Sequence, residues 1–264
     1  MAIRSAEINV MVSSAIKVAR ALARDFGELE QLQTSQSASA EFMSRSFNNG
    51  AWILQDTLGN ARPHRKIVMA GSDSQDLDKL EELWLANPIC GRTNFSHGIP
   101  HFAVSIAYIQ RQEALATVVY DSIHDDLYWA EKGIGAFRND RRIRVSRRRR
   151  ILDAVVGNYE IDKNDKNIHK YQNCITQNAG ILRMLGSTSL DLAYVAAGWL
   201  DGFWSSTATP ADVMSGALLV QEAGGFASSI IGTGRPSKGP GILASNGHLQ
   251  SELASLFKQT EHAD

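Results

Sequence analysis

Two cysteines in 264 residues, Cys90 and Cys174, are too few for a disulfide framework. With no Cys/His set at zinc-ligand spacing, a reducing, cytoplasmic compartment is the expectation. Long apolar runs are missing as well. No uninterrupted stretch reaches the roughly 20 residues that span a bilayer, and Arg4, Glu7 and Lys17 interrupt the N-terminal pattern where a signal peptide needs an apolar core. No membrane role is expected. An excess of one charge sign is also lacking: 27 Lys and Arg stand against 28 Asp and Glu, so bulk electrostatics argue neither for nor against nucleic acid. Internal repeats, low-complexity tracts and a separating linker are absent. What remains, 44% hydrophobic and 21% charged, is the composition of an ordinary globular protein long enough to bury one sizeable core. The expected organisation is one domain over 1–264, built of two intimate α/β halves that meet near residue 150.

Apolar residues at helical spacing (Ile8, Met11, Val12, Ala15, Ile16, Ala19, Leu22) predict an amphipathic helix over about 6–26. Residues 28–40 read as a polar loop, and a second helix is expected over about 44–58, weakened at its start by Asn48-Asn49-Gly50. Short strands are expected at 67–70, 83–86, 102–109, 114–120 and 126–130, with polar segments at 71–82 and around His124-Asp125. Beyond residue 150 the pattern alternates: strands at 154–158, 181–185, 201–205 and 242–244, a hydrophilic loop at 160–167, and helices ending near 178, over 189–197, over 210–223 and over 248–258. The 210–223 helix has Pro210 at its start and Gly224-Gly225 past its end, the asymmetry expected of a helix. Alternating helices and strands predict an α/β (α+β) fold of layered sheets with helices between them.

The stretch Leu83-Trp84-Leu85-Ala86 reads as a buried strand that breaks at Asn87-Pro88, turns through Gly91 and leaves at Gly98-Ile99-Pro100. Such a strand end presents side chains and backbone N–H groups at a sheet rim, where ligands bind.

Trp84-Leu85-Ala86-Asn87-Pro88-Ile89-Cys90-Gly91-Arg92-Thr93-Asn94-Phe95 follows a W-x-x-D-P-x-D-G-T-x-N-F pattern. Pro210-Ala211-Asp212-Val213-Met214-Ser215-Gly216 follows P-W-D-x-A-A-G, and Gly186-Ser187-Thr188-Ser189-Leu190-Asp191-Leu192-Ala193-Tyr194 follows G-S-x-x-L-D-L-A-Y. In these three segments the chain resembles the inositol monophosphatase family, and within it the bacterial SuhB branch. The resemblance implies a layered αβαβα sandwich, usually homodimeric. In active members it also implies Mg²⁺-dependent hydrolysis of small phosphate monoesters such as inositol monophosphate. That chemistry holds hard cations with Asp and Glu oxygens, which polarise the phosphoryl group and generate a nucleophilic hydroxide.

Carried over position by position, the family's ligands change here. The G-E-E-S segment falls on Met69-Ala70-Gly71-Ser72, with Asp73 just beyond. The two aspartates of the first motif are Asn87 and Cys90, and Arg92 stands for the threonine that orients water, next to Thr93. Phe47 and Ser205 occupy two further acidic positions, and Asp212 alone is retained. Gly91, Arg92, Ser187 and Thr188 fall at the positions that surround phosphate. The expectation is therefore that metal binding is weak or absent and that hydrolysis is lost or strongly impaired, leaving a binding or regulatory scaffold. An active Mg²⁺-dependent inositol-1-phosphate or sugar-phosphate monophosphatase is the other reading.

Arg92 either holds an anion where metal sits in the family or pairs with a local acid. Cys90 reads as a buried inert thiol rather than a nucleophile, since no C-x₅-R phosphate loop follows it. The arginines from 138 to 150 read as a solvated hairpin, with RNA phosphates or an acidic protein face as the alternative for 147–150. His97 and His101 read as structural. Implied partners are a second copy of the chain, a transcription antitermination factor, RNA polymerase or RNA, and a small phosphorylated metabolite.

Overall fold

The structure, a computed structural model, describes residues 3–29, 36–71, 80–159, 166–230, 234 and 241–261. Two sheets organise it. The first has seven strands in chain order: β1 (Lys66–Met69), β2 (Glu82–Cys90), β3 (Ala103–Gln110), β4 (Glu113–Asp121), β5 (Asp126–Glu131), β6 (Gly135–Arg138) and β7 (Arg141–Arg142). β1 and β2 run parallel, and the remaining neighbours are antiparallel. The second sheet has five strands, in the order β11 (Phe226–Ser228), β12 (Ile242–Ser245), β10 (Gly202–Ser205), β8 (Val155–Asn158) and β9 (Ile181–Arg183).

Side-chain alternation explains the layering. In β2, Trp84 and Ala86 join a core with helices α1 (Ala6–Leu29) and α2 (Gln36–Ala61), whereas Leu83 and Leu85 point the other way. They meet α5 (Thr188–Ala196) and α6 (Pro210–Glu222), which lie between the sheets. The second sheet repeats the logic. Phe203, Ile242 and Ala244 face α5 and α6, while Trp204 and Leu243 meet Tyr171 and Ile175 of α4 (Lys166–Asn178) and Leu253 and Phe257 of α7 (Gln250–Glu261). A sheet covered on both faces selects continuous apolar runs, which is why these strands lack a polar face. Each such large side chain contributes about 1.5–3 kcal/mol by leaving water. The result is the αβαβα sandwich expected from the sequence.

Two local differences, in β2 and α2, have physical causes. β2 does not stop at Asn87 but runs through Pro88 to Cys90, because its register with β3 shifts between Asn87↔Ser105 and Cys90↔Ala103. A bulge accommodates a proline that has no N–H to give to the ladder. Helix α2 starts at Gln36 and passes through Asn48-Asn49-Gly50. Gly50 is needed there, since a Cβ would stand 2.8 Å from Pro88 Cβ and 3.2 Å from Val18 Cγ1. The arginine-rich stretch begins as the β6–β7 hairpin, in keeping with the hairpin expected there, whereas β11 forms where no strand was expected. The polar segments anticipated at 28–40, 71–82 and 160–167 fall in part outside the described residues, and Asp73 lies there too.

Candidate functional site

The C-terminal end of β2 feeds a tight turn that carries Gly91 into the short helix α3 (Arg92–Ser96). Gly91 has φ +105°, and a Cβ there would press on His101 O at 3.0 Å and Phe102 Cβ at 3.1 Å, so both conformation and space demand glycine. Asn94 locks the turn from the far side by donating to His101 O (2.8 Å) and Leu185 O (2.7 Å). Ser187 Oγ donates to Cys90 O at 2.8 Å, and the Ser189 N–H donates to Cys90 Sγ at 3.3 Å. The turn is thereby fixed to the start of α5.

Around it opens a cavity of about 380 Å³. Its walls come from Ala70 and Gly71 after β1, Asn87 and Cys90 of β2, Arg92 and Thr93 of α3, Tyr159 after β8, Thr188 of α5, Ser205 at the end of β10, and Thr209 and Asp212 at the start of α6. The structure thus brings Asn87, Cys90, Gly91, Arg92, Thr93, Thr188, Ser205 and Asp212 to one space. Ser187 is fully buried behind it, holding the turn. Tyr159 and Thr209 went unnoticed in the sequence. Thr209 had a signal: Thr209-x-x-Asp212 before an apolar run is a capping-box pattern.

Asp212 is the one carboxylate among the described residues that line the cavity. Its Oδ2 accepts from the Thr209 N–H (3.1 Å) and from Thr209 Oγ1 (2.7 Å), tying it to the start of α6. Asn87 turns its Oδ1 onto the Ile89 N–H at 3.2 Å. Burial pushes the Cys90 thiol up, opposed by its bonds to Ser189 and reinforced by the charge of Asp212. Ser205 Oγ accepts from the Ala208 N–H at 3.1 Å. Among the described residues no group of three His, Cys, Asp or Glu side chains stands where it could hold a metal ion.

Among the described residues that line the cleft, the cation is Arg92. Its guanidinium carbon lies 3.8 Å from the centre of the Phe47 ring, and Nη2 donates to Ala70 O at 3.2 Å. Burial pulls the guanidinium below its ordinary value, against the attraction of Asp212. Burial likewise raises the Tyr159 phenol, which is hydrogen-bonded to Thr93.

The remaining candidates serve the scaffold. His101 Nε2 meets Asp191 Oδ1 at 2.7 Å, where burial raises the carboxyl and the histidine opposes the rise. Within the basic segment, Arg148 Nε donates to the buried Asp201 at 3.0 Å and Arg150 lies 3.7 Å from Asp153. Arg147 and Arg149 are exposed. Among the described residues no helix is long and apolar enough to cross a membrane.

Comparisons with known proteins follow the same lines. The inositol monophosphatase family model matches residues 5–262. An inositol-1-monophosphatase of Rhizobium meliloti is 39% identical over 262 residues, 97% of each chain. A putative Nus factor SuhB of Neisseria meningitidis is 34% identical and is aligned over 95% of this chain and 98% of its own. The crystal structure of the extragenic suppressor protein suhB from Bartonella henselae superposes with a TM-score of 0.86 at 36% identity, covering 97% of this chain and 99% of that one.

Proposed function

We propose that this chain, which belongs to the inositol monophosphatase family, keeps the family's cleft for binding rather than for metal-dependent hydrolysis. In this reading phosphate monoester hydrolysis is lost or strongly impaired, and the fold serves as a binding and regulatory scaffold. The observation that carries it is the Arg92 guanidinium seated on Phe47 inside a cleft whose lining offers one carboxylate among the described residues.

Magnesium takes near-octahedral oxygen ligands at about 2.0–2.1 Å and gives up its water reluctantly. The described donors do not fit it. Oδ2 of Asp212 already accepts two bonds, Asn87 is uncharged, Cys90 offers a soft and protonated sulfur, and a fixed positive charge stands alongside. The test is phosphate release from inositol 1-phosphate with millimolar Mg²⁺, by the protein and by Asp212→Ala. The expected result is background release from both. Turnover by the unaltered protein that Asp212→Ala abolishes would refute the proposal.

A specific observation favours the second reading, an active Mg²⁺-dependent monophosphatase. The Rhizobium meliloti relative bears that name at 39% identity, and Asp73 lies outside the described residues. The same assay decides between them. The scaffold reading includes a cytoplasmic homodimer and, as partner, a transcription antitermination factor, RNA polymerase or RNA; the name of the relative called a putative Nus factor supports the partner alone.

A further inference from the structure

We propose that Arg92, braced by Phe47, is the cation with which the cleft holds the phosphoryl group of a small phosphate monoester in the absence of any metal ion. The inference rests on the binding reading above and names the ligand class and the residue that recognises it.

A guanidinium carries five N–H donors in a planar fork that matches a tetrahedral oxyanion. Among the described residues one of them is used, in the bond from Nη2 to Ala70 O. The ring of Phe47 lies under the guanidinium, its centre 3.8 Å from the guanidinium carbon, and restrains it. Stacking satisfies the face of the cation and leaves the edge donors for a ligand, so the side chain is ordered before anything binds. Thr93, Tyr159, Thr188 and Thr209 line the same space, and such hydroxyl-bearing side chains suit the alcohol part of a polyol ester. At about 380 Å³ the cavity falls within the range of small-molecule sites, roughly 300–1,000 Å³. The competing partner, Asp212, reaches Arg92 only through space, because its Oδ2 is turned onto Thr209. A guanidinium keeps its charge at any physiological pH, so this cation cannot be removed by a chelator.

The experiment is titration calorimetry of the full chain with inorganic phosphate and with glycerol 2-phosphate, in excess EDTA. Saturable binding of both probes is expected, with the ester the tighter of the two. Arg92→Gln should weaken both by about 10- to 100-fold, the scale of charge-assisted hydrogen bonds, and Arg92→Lys should recover part of the loss. Thermal unfolding of each variant confirms that it is folded. No saturable binding in EDTA, binding that appears only when Mg²⁺ is added, or unchanged affinity in folded Arg92→Gln would each overturn the proposal. Phosphate release with Mg²⁺ would overturn the loss of hydrolysis instead, leaving the EDTA titration to decide the role of Arg92.

Discussion

Asp212→Asn separates the two readings of the cleft by the sign of its effect. In a metal-dependent hydrolase this carboxylate holds the cation, and losing its charge weakens every phosphate interaction routed through it. In a cleft that binds with Arg92, Asp212 is a repulsive neighbour of the incoming anion, and losing its charge strengthens binding. The size follows from the geometry. A sphere of 380 Å³ has a radius of about 4.5 Å, which puts a central phosphate roughly 5–6 Å from a lining carboxylate. One unit charge at about 6 Å contributes roughly 3 kcal/mol at an effective dielectric of about 20, and the open mouth reduces that to about 1–2 kcal/mol. Phosphate binding should therefore tighten about 5- to 30-fold in millimolar Mg²⁺ as well as in EDTA, since 1.4 kcal/mol is about tenfold, whereas a metal-held phosphate would be lost in Mg²⁺. Asparagine retains an oxygen acceptor for Thr209, so the structural cost is limited to the lost charge at the start of α6, about 0.3–1 kcal/mol. Calorimetry at low salt reads the binding change and urea unfolding reads the stability. Weaker or abolished phosphate binding by folded Asp212→Asn would refute the electrostatic reasoning.

Two further outcomes test the scaffold. Asp201 is buried and accepts from Ser146 Oγ (2.5 Å), Arg148 Nε (3.0 Å) and the Val155 N–H (2.8 Å). Asp201→Ala should thus cost about 2–4 kcal/mol, because it strands buried donors. Arg148→Ala, which removes a half-exposed partner that water can replace, should cost about 0–1 kcal/mol; equal losses in urea unfolding would contradict this asymmetry. The Cys90 thiol is pushed up by burial, so its protonated form persists past the ordinary cysteine value near 8.5. Any stability linked to it is fully present below that pH and is lost as pH rises through the higher folded value. Labelling of native protein with a disulfide reagent at pH 8, followed by peptide mapping, should find Cys90 unmodified, and rapid modification would count against its burial.

Much of the fold was written in the order of the residues. The amphipathic face from Ile8 to Leu22, the Pro210 start and Gly224 end of α6, and the apolar strand runs each follow from local chemistry that neighbours in sequence can satisfy. The site was half legible. The motif residues Asn87 to Phe95 and Asp212 identified the turn and the family. The substitutions at Phe47, Cys90 and Arg92 were visible as letters, but not what those letters do together.

Tertiary structure decided the rest, because the deciding partners are far apart in the chain. Pairing with β3 carries β2 through Pro88 by a bulge, and close approach to Pro88 makes Gly50 an asset inside α2 rather than a break. The buried carboxylate of Asp201 turns one arginine of a basic run into a structural tie. Arg92 and Phe47, 45 positions apart in the sequence, become a stacked pair only when α2 packs beside the β2 turn. Local sequence sets which backbone conformations are cheap. Which side chains meet in the cleft, and with what charge, is set by the packing of layers that bury both faces of each sheet.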